Sequence, residues 1–240
     1  MGLPAPALKA LALRRARPFQ QFGQAADVCT DNGKLGCTQT GAQFLALNAT
    51  GRFYTHDEVS RLSGYPCGGG SGNRGMYPSE LQRFFTNAKL PYVVKAGLTV
   101  QAVLSAAALG PVGFAHSYSR WPQWYGYVYY GRKATGKVNG FAAPLGKAGA
   151  TQLTGIARNA SIPVGPTNPD GHFGVLLGSG VGSTGFQVYA WEPNHNSAAR
   201  PEDPAYDILT GPQFTKLYDS YRVTLGRTPI AAIPTRLIGG

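Results

Sequence analysis

Acidic side chains are scarce in this chain. Its 240 residues carry 11 Asp plus Glu against 22 Lys plus Arg, a formal charge of +11 and an isoelectric point near 9.7. Between Glu80 and Asp170 there is no acidic residue at all, while Arg83, Lys89, Lys95, Arg120, Arg132, Lys133, Lys137, Lys147 and Arg158 fall in that stretch. Residues 1–26 and 220–240 lack acidic side chains as well. Such a balance favours polyanionic partners, among them nucleic acid, an anionic cell-wall polymer or an acidic neighbouring protein. Cysteine is equally sparse: Cys29, Cys37 and Cys67 are too few and too irregular for a disulfide framework or a four-ligand zinc site, and at least one must be a free thiol. No run of about 18 apolar residues is present, which excludes a helical membrane span. Gly (33) and Pro (18) make up about a fifth of the chain and exclude a helical bundle. What remains, 43% hydrophobic and 11% aromatic, suffices for one folded domain with appendages.

Residues 1–26 read as a basic N-terminal arm or short basic helix. There is no clear signal peptide, because Lys9 interrupts the apolar stretch and Arg14, Arg15 and Arg17 follow it. Residues 27–222 read as the domain, with a basic and aromatic insertion at about 117–170, and 223–240 as an extended tail. Within the domain, Ala42, Leu45 and Ala46 form a helical stripe, so a helix begins at or just after Cys37. Thr55 and Glu58 make a capping box for a short helix ended by Gly64. Pro78 opens a third helix, and Thr99 to Ala108 is a fourth, ended by Gly110-Pro111. Strands follow: Val112 to His116, then His172 to Gly178 and Gly185 to Trp191, the last two joined as a hairpin. Gln213 to Tyr221 is a final helix or turn.

This order places a thiol at a helix start and a histidine at a strand start. The helix dipole and unpaired amides stabilise a thiolate at Cys37, which an imidazole must serve as base and then acid. His172 supplies the imidazole. A third group must orient it, and the hairpin can return Glu192 or Asn194 to the start of its first strand.

On these residues the chain resembles the papain-like cysteine peptidases, most closely the subgroup of bacteriocin leader peptidases with double-glycine specificity, which also occurs as domains in phage lysins. Gly36-Cys37 with its apolar helix is similar to that subgroup's nucleophile segment, "LGPVGF" (109–114) to its helix-to-strand step, "HFGVLLG" (172–178) to its histidine strand, and "VYAWEP" (188–193) to the strand ending in its Asp-Pro pair. The resemblance implies an α+β fold, with an N-terminal helical part carrying the nucleophile and a C-terminal antiparallel sheet carrying the histidine. Two positions depart from the pattern. The family's oxyanion-binding Gln, six residues before the cysteine, is Asp31 here, which leaves Asn32 as the side-chain donor beside the Cys37 amide. The family's orienting Asp is Glu192, so Glu192 and Asn194 both remain candidates.

Other residues compete. Cys29 is a second thiol but no helical pattern follows it, Cys67 sits in a glycine loop, and His195 is the runner-up base. His56, in the capping box, and His116, in a strand, are structural by default. Trp121, Trp124 and Tyr125, from an aromatic cluster interleaved with Arg120, Arg132 and Lys133, are the candidate substrate wall.

The expectation is therefore a thiol hydrolase cleaving a peptide or isopeptide bond through an acyl-enzyme, with no metal or cofactor. Its substrate would be a peptide or a peptidoglycan cross-bridge, and its setting a phage particle. The alternative is a catalytically degenerate tail or capsid component on the same fold, gripping neighbouring virion subunits through its ends.

Overall fold

The computed structural model describes residues 3–16, 36–66, 75–117, 137–138, 141–142, 171–182, 185–191, 193 and 206–238. Six helices are found among them: α1 (Ala5–Ala16), α2 (Cys37–Thr50), α3 (His56–Ser63), α4 (Pro78–Asn87), α5 (Val100–Ala106) and α6 (Gly211–Val223). The strands are β1 (Tyr92–Ala96), β2 (Val112–Ser117), the short pair β3 (Lys137–Val138) and β4 (Phe141–Ala142), β5 (Gly171–Gly182), β6 (Gly185–Trp191), β7 (Asp207–Thr210) and β8 (Ile230–Pro234). Six of them form one antiparallel sheet in the order β1-β8-β2-β5-β6-β7. The protein is thus mixed α+β. Among the described residues no helix is long and apolar enough to cross a membrane.

The expected local signals form where their chemistry puts them. Thr55 accepts a hydrogen bond from the Glu58 amide at 3.1 Å, Glu58 accepts one from the Thr55 amide at 2.9 Å, and α3 stops at Gly64 with φ 71°. Pro78 opens α4, and the Thr99 side chain caps α5. β5 and β6 pair as the expected hairpin.

The sheet has a core on each face. On one, Phe44, Leu45 and Leu47 of α2 and Leu81, Phe84 and Phe85 of α4 meet Phe173, Val175 and Leu177 of β5. On the other, Val103 of α5 and Phe214, Leu217 and Tyr218 of α6 meet Phe114, Leu176, Val188 and Ala231. Alternation along each strand divides these side chains between the two layers.

Of the two readings of the N-terminus, arm or short basic helix, residues 5–16 take the helical one, and the C-terminal stretch differs from an extended tail. Residues 5–16 form α1, whose Ala7, Ala10, Leu11 and Arg14 recur at helical spacing and are buried. The helix lies close against β5: a β-carbon on Gly178 would come within 2.1 Å of the Ala7 side chain. Arg14 is fully buried, its guanidinium 4.6 Å from the Trp191 ring centroid. The stretch read as an extended tail, 223–240, supplies β8, which lies between β1 and β2. The reason is pairing: an extended segment without periodicity of its own satisfies its backbone groups by joining two neighbours. Most of the expected insertion, 118–136, 139–140 and 143–170, lies outside the described residues; Ser117 completes β2.

Candidate active site

Cys37 is the first residue of α2, and its neighbours explain where it comes to rest. Gly36 precedes it with no side-chain cap, and the Gly36 carbonyl accepts the first helical hydrogen bond from the Thr40 amide at 2.8 Å. The next residues tie the helix start to α3. Gln39 Nε2 donates to Ser60 Oγ at 2.7 Å, and Thr40 Oγ1 lies 3.1 Å from Nε2 of the buried His56. One turn after Cys37 comes Gly41, where a β-carbon would lie 2.7 Å from the Phe173 ring. Gly113 of β2 approaches the same ring, with 2.3 Å to a β-carbon built there. The Phe173 ring therefore occupies space that only two glycines leave open. This close approach brings the start of α2 beside the start of β5, and so Cys37 beside His172.

The two side chains interact directly. Cys37 and His172 are 7% and 6% exposed and line the same cleft, where the imidazole acts on the thiol. Burial pushes the thiol pKa up, but the His172 charge and hydrogen bond, the Thr38 hydroxyl and the Phe173 amide together outweigh it, and the net shift is downward. Thr38 Oγ1 lies 3.9 Å from the sulfur. The amide of a residue at the first position of a helix has no partner within the helix, so the Cys37 N–H is available to an oxyanion.

His172 itself is fixed by β2. It pairs with His116 across the strands, and the two rings meet edge to face at 84° with centroids 5.2 Å apart. His116 Nδ1 is 2.9 Å from the Ser117 carbonyl oxygen. A carbonyl can only accept, so Nδ1 carries the proton. The Ser117 amide in turn donates to Ser220 Oγ of α6 at 2.8 Å. His116 thus links the strand bearing the candidate base to the layer behind the sheet.

The thiol and imidazole open onto a cleft of about 320 Å³. Met76, Tyr77, Leu81, Tyr221, Arg227 and Ile230 are among the residues lining it. Among the described residues no three His, Cys, Asp or Glu side chains are grouped so as to hold a metal ion.

Of the expected site residues, Cys37 and His172 are thus brought together. Asn32, Glu192, Asn194, Trp121, Trp124 and Tyr125 lie outside the described residues, as do Cys29, Cys67 and His195. Tyr77, Tyr221 and Arg227 entered the cleft without being expected there. Only Tyr77, next to the helix-opening Pro78, had a local signal, since its backbone forms the cap of α4. No model of a known protein family matches the chain, and no curated protein matches it either.

Proposed function

We propose that this protein is a papain-like thiol hydrolase that cleaves a peptide or isopeptide bond through an acyl-enzyme. The observation that carries the reading is the Cys37–His172 pair: a thiol at a helix start and an imidazole near a strand start that line one cleft, the imidazole drawing the thiol pKa down. The papain-like assignment is further supported by the order of elements, a nucleophile helix followed by an antiparallel sheet with histidine near the start of one strand.

In this reading the Cys37 thiolate attacks the scissile carbonyl, forming a C–S bond and a tetrahedral oxyanion. The Cys37 amide stabilises that charge, with Asn32 as the second donor. Protonated His172 gives its proton to the departing amine as the C–N bond breaks, leaving a thioester. Neutral His172 then takes a proton from water, hydroxide adds to the thioester, and the C–S bond breaks to release the carboxylic acid and return the thiolate–imidazolium pair. Glu192 or Asn194 is assigned to orient the imidazole.

The basic surface favours an anionic polymer such as the bacterial cell wall, and a peptidoglycan cross-bridge in a phage setting is the proposed substrate. The degenerate virion component drew its support from the departures at Asp31 and Glu192, which lie outside the described residues, and from ends read as arms; the packing of α1 on β5 and of β8 within the sheet weighs only against the arms. Incubation with purified sacculi and with cross-bridge peptides tests the proposal by release of free amines. Wild type should release them and Cys37→Ala should not. Hydrolysis retained by Cys37→Ala overturns the assignment.

A further inference from the structure

The described residues lining the cleft include a cation but no carboxylate. Arg227 lies just beyond α6, in a segment tied back to the helix: its amide donates to the Tyr221 carbonyl at 3.2 Å, and the Gly226 amide to that of Arg222 at 2.9 Å. Its guanidinium carbon stands 6.0 Å from the Tyr221 ring centroid. The other end of the side chain is placed by Gly171. A β-carbon built there would lie 3.2 Å from Arg227 Nη1, so the guanidinium rests against the backbone of the residue immediately before His172. Arg227 and Gly171 border the same cleft as Cys37 and His172. Its other lining side chains are apolar or neutral, Met76, Leu81 and Ile230 among them.

From this geometry we infer that Arg227 forms a carboxylate subsite, and that the substrate carries an anionic carboxylate close to the bond attacked by Cys37. The inference deepens the hydrolase reading and rests on it. Guanidinium is suited to the role because its planar fork can give a carboxylate two parallel hydrogen bonds, and it stays charged at any pH the protein meets. The missing side chain at Gly171 keeps the fork close to the strand that carries the base, and the apolar walls accommodate the rest of the residue bearing the carboxylate. Beside the Cys37–His172 pair, whose charges offset each other, Arg227 is the charged side chain of the described lining and can select by charge.

The test needs no known substrate, because Cys37 can report on its own surroundings. Methanethiosulfonates carrying a short anionic or neutral arm transfer that arm to a thiolate and expel methanesulfinate. The rates for the anionic sulfonatoethyl and the neutral hydroxyethyl reagents, of similar length, are compared, each divided by its rate with a small free thiol. Wild type should favour the anionic reagent, and Arg227→Gln should reduce that preference by about fivefold, with Arg227→Glu reversing it. The preference should shrink with added salt, since Arg227 is exposed. An unchanged ratio in both variants overturns the inference. So does a wild type without preference that gains one only in Asp170→Asn, since Arg227 would then serve the acidic residue preceding Gly171. Cys37 inert to every reagent in folded protein defeats the hydrolase reading itself, a separable outcome. Protection of Cys37 by a peptide with a free terminus, or by an amidated peptide with a Glu side chain, assigns the source of the carboxylate; protection by neither, or protection that survives Arg227→Gln, contradicts the subsite.

Discussion

His116 and His172 face each other across paired strands, their rings edge to face with centroids 5.2 Å apart. His116 is wholly buried and bonded to the Ser117 carbonyl, so it serves as a wall against which the candidate base is held. His116→Ala removes that wall and leaves a cavity, and should lower stability by about 2–4 kcal/mol. It should also slow alkylation of Cys37, while His116→Phe restores the ring and most of the reactivity. Thermal melts read alongside alkylation rates separate the two effects.

Gly41 sets the spacing between α2 and β5. In Gly41→Ala the added methyl meets the Phe173 ring, and that ring is already confined by Gly113. Overpacking of this kind costs about 1–3 kcal/mol. Because Cys37 lies one turn away, the loss should reach the thiol: its alkylation rate at neutral pH should fall by more than the fraction of unfolded protein explains. Denaturant titration fixes that fraction.

At the start of α3, Glu58 accepts hydrogen bonds from the Thr55 amide and from Arg52, and its pKa is held below the usual carboxylate value by the Thr55 hydrogen bond first, despite some desolvation. A depressed carboxylate stabilises the fold above its unfolded pKa, and that contribution disappears as pH falls through the lower folded value. Glu58→Gln should therefore lower stability at neutral pH, flatten the acid side of the stability profile, and change little at the acid end where Glu58 is already protonated. Thr55→Ala, which removes the reciprocal cap, should cost about 1 kcal/mol at neutral pH. Urea titrations across the acid range check both.

Removing residues 225–240 should unfold the domain. β8 pairs with β1 along five residues and touches β2 at Gly113 and Phe114, so its loss separates β1 from the rest of the sheet. Ile238, 2% exposed, donates its amide to the Leu109 carbonyl at 2.7 Å and covers Gly110. A truncated chain should show no cooperative melt; a tail that merely bound a neighbour would leave the melt unchanged.

Features settled within a few residues were legible in the sequence. The capping box of α3, Pro78 at the start of α4 and the β5–β6 hairpin all follow from local chemistry. The helix beginning at Cys37 was legible too, although every residue from Cys37 to Asn48 proves buried, beyond the single stripe seen. What escaped depends on distant partners. β8 contains Ala231 and Ala232 flanked by prolines, a poor strand by propensity, and it becomes one by pairing on both sides. β1 and β7 have five and four residues and lie at the sheet edges, too short to show a pattern. In α1 the basic side chains concealed the stripe, since Arg14 is itself part of the buried face. Of the candidate site, Cys37 and His172 could be named because each lies at or next to the start of an element; Arg227 could not, because only the return of the chain through α6 brings it to the cleft.

The central claim is that His172 holds the Cys37 thiol in its reactive anionic form. The rate of iodoacetamide alkylation of Cys37 as a function of pH, in a protein whose Cys29 and Cys67 are replaced by Ser, measures this directly. With His172 intact, the rate should rise through an inflection below that of an ordinary thiol. In His172→Gln the downward pull is lost while burial remains, so the inflection should move above that value. Identical profiles with and without His172 would contradict the account.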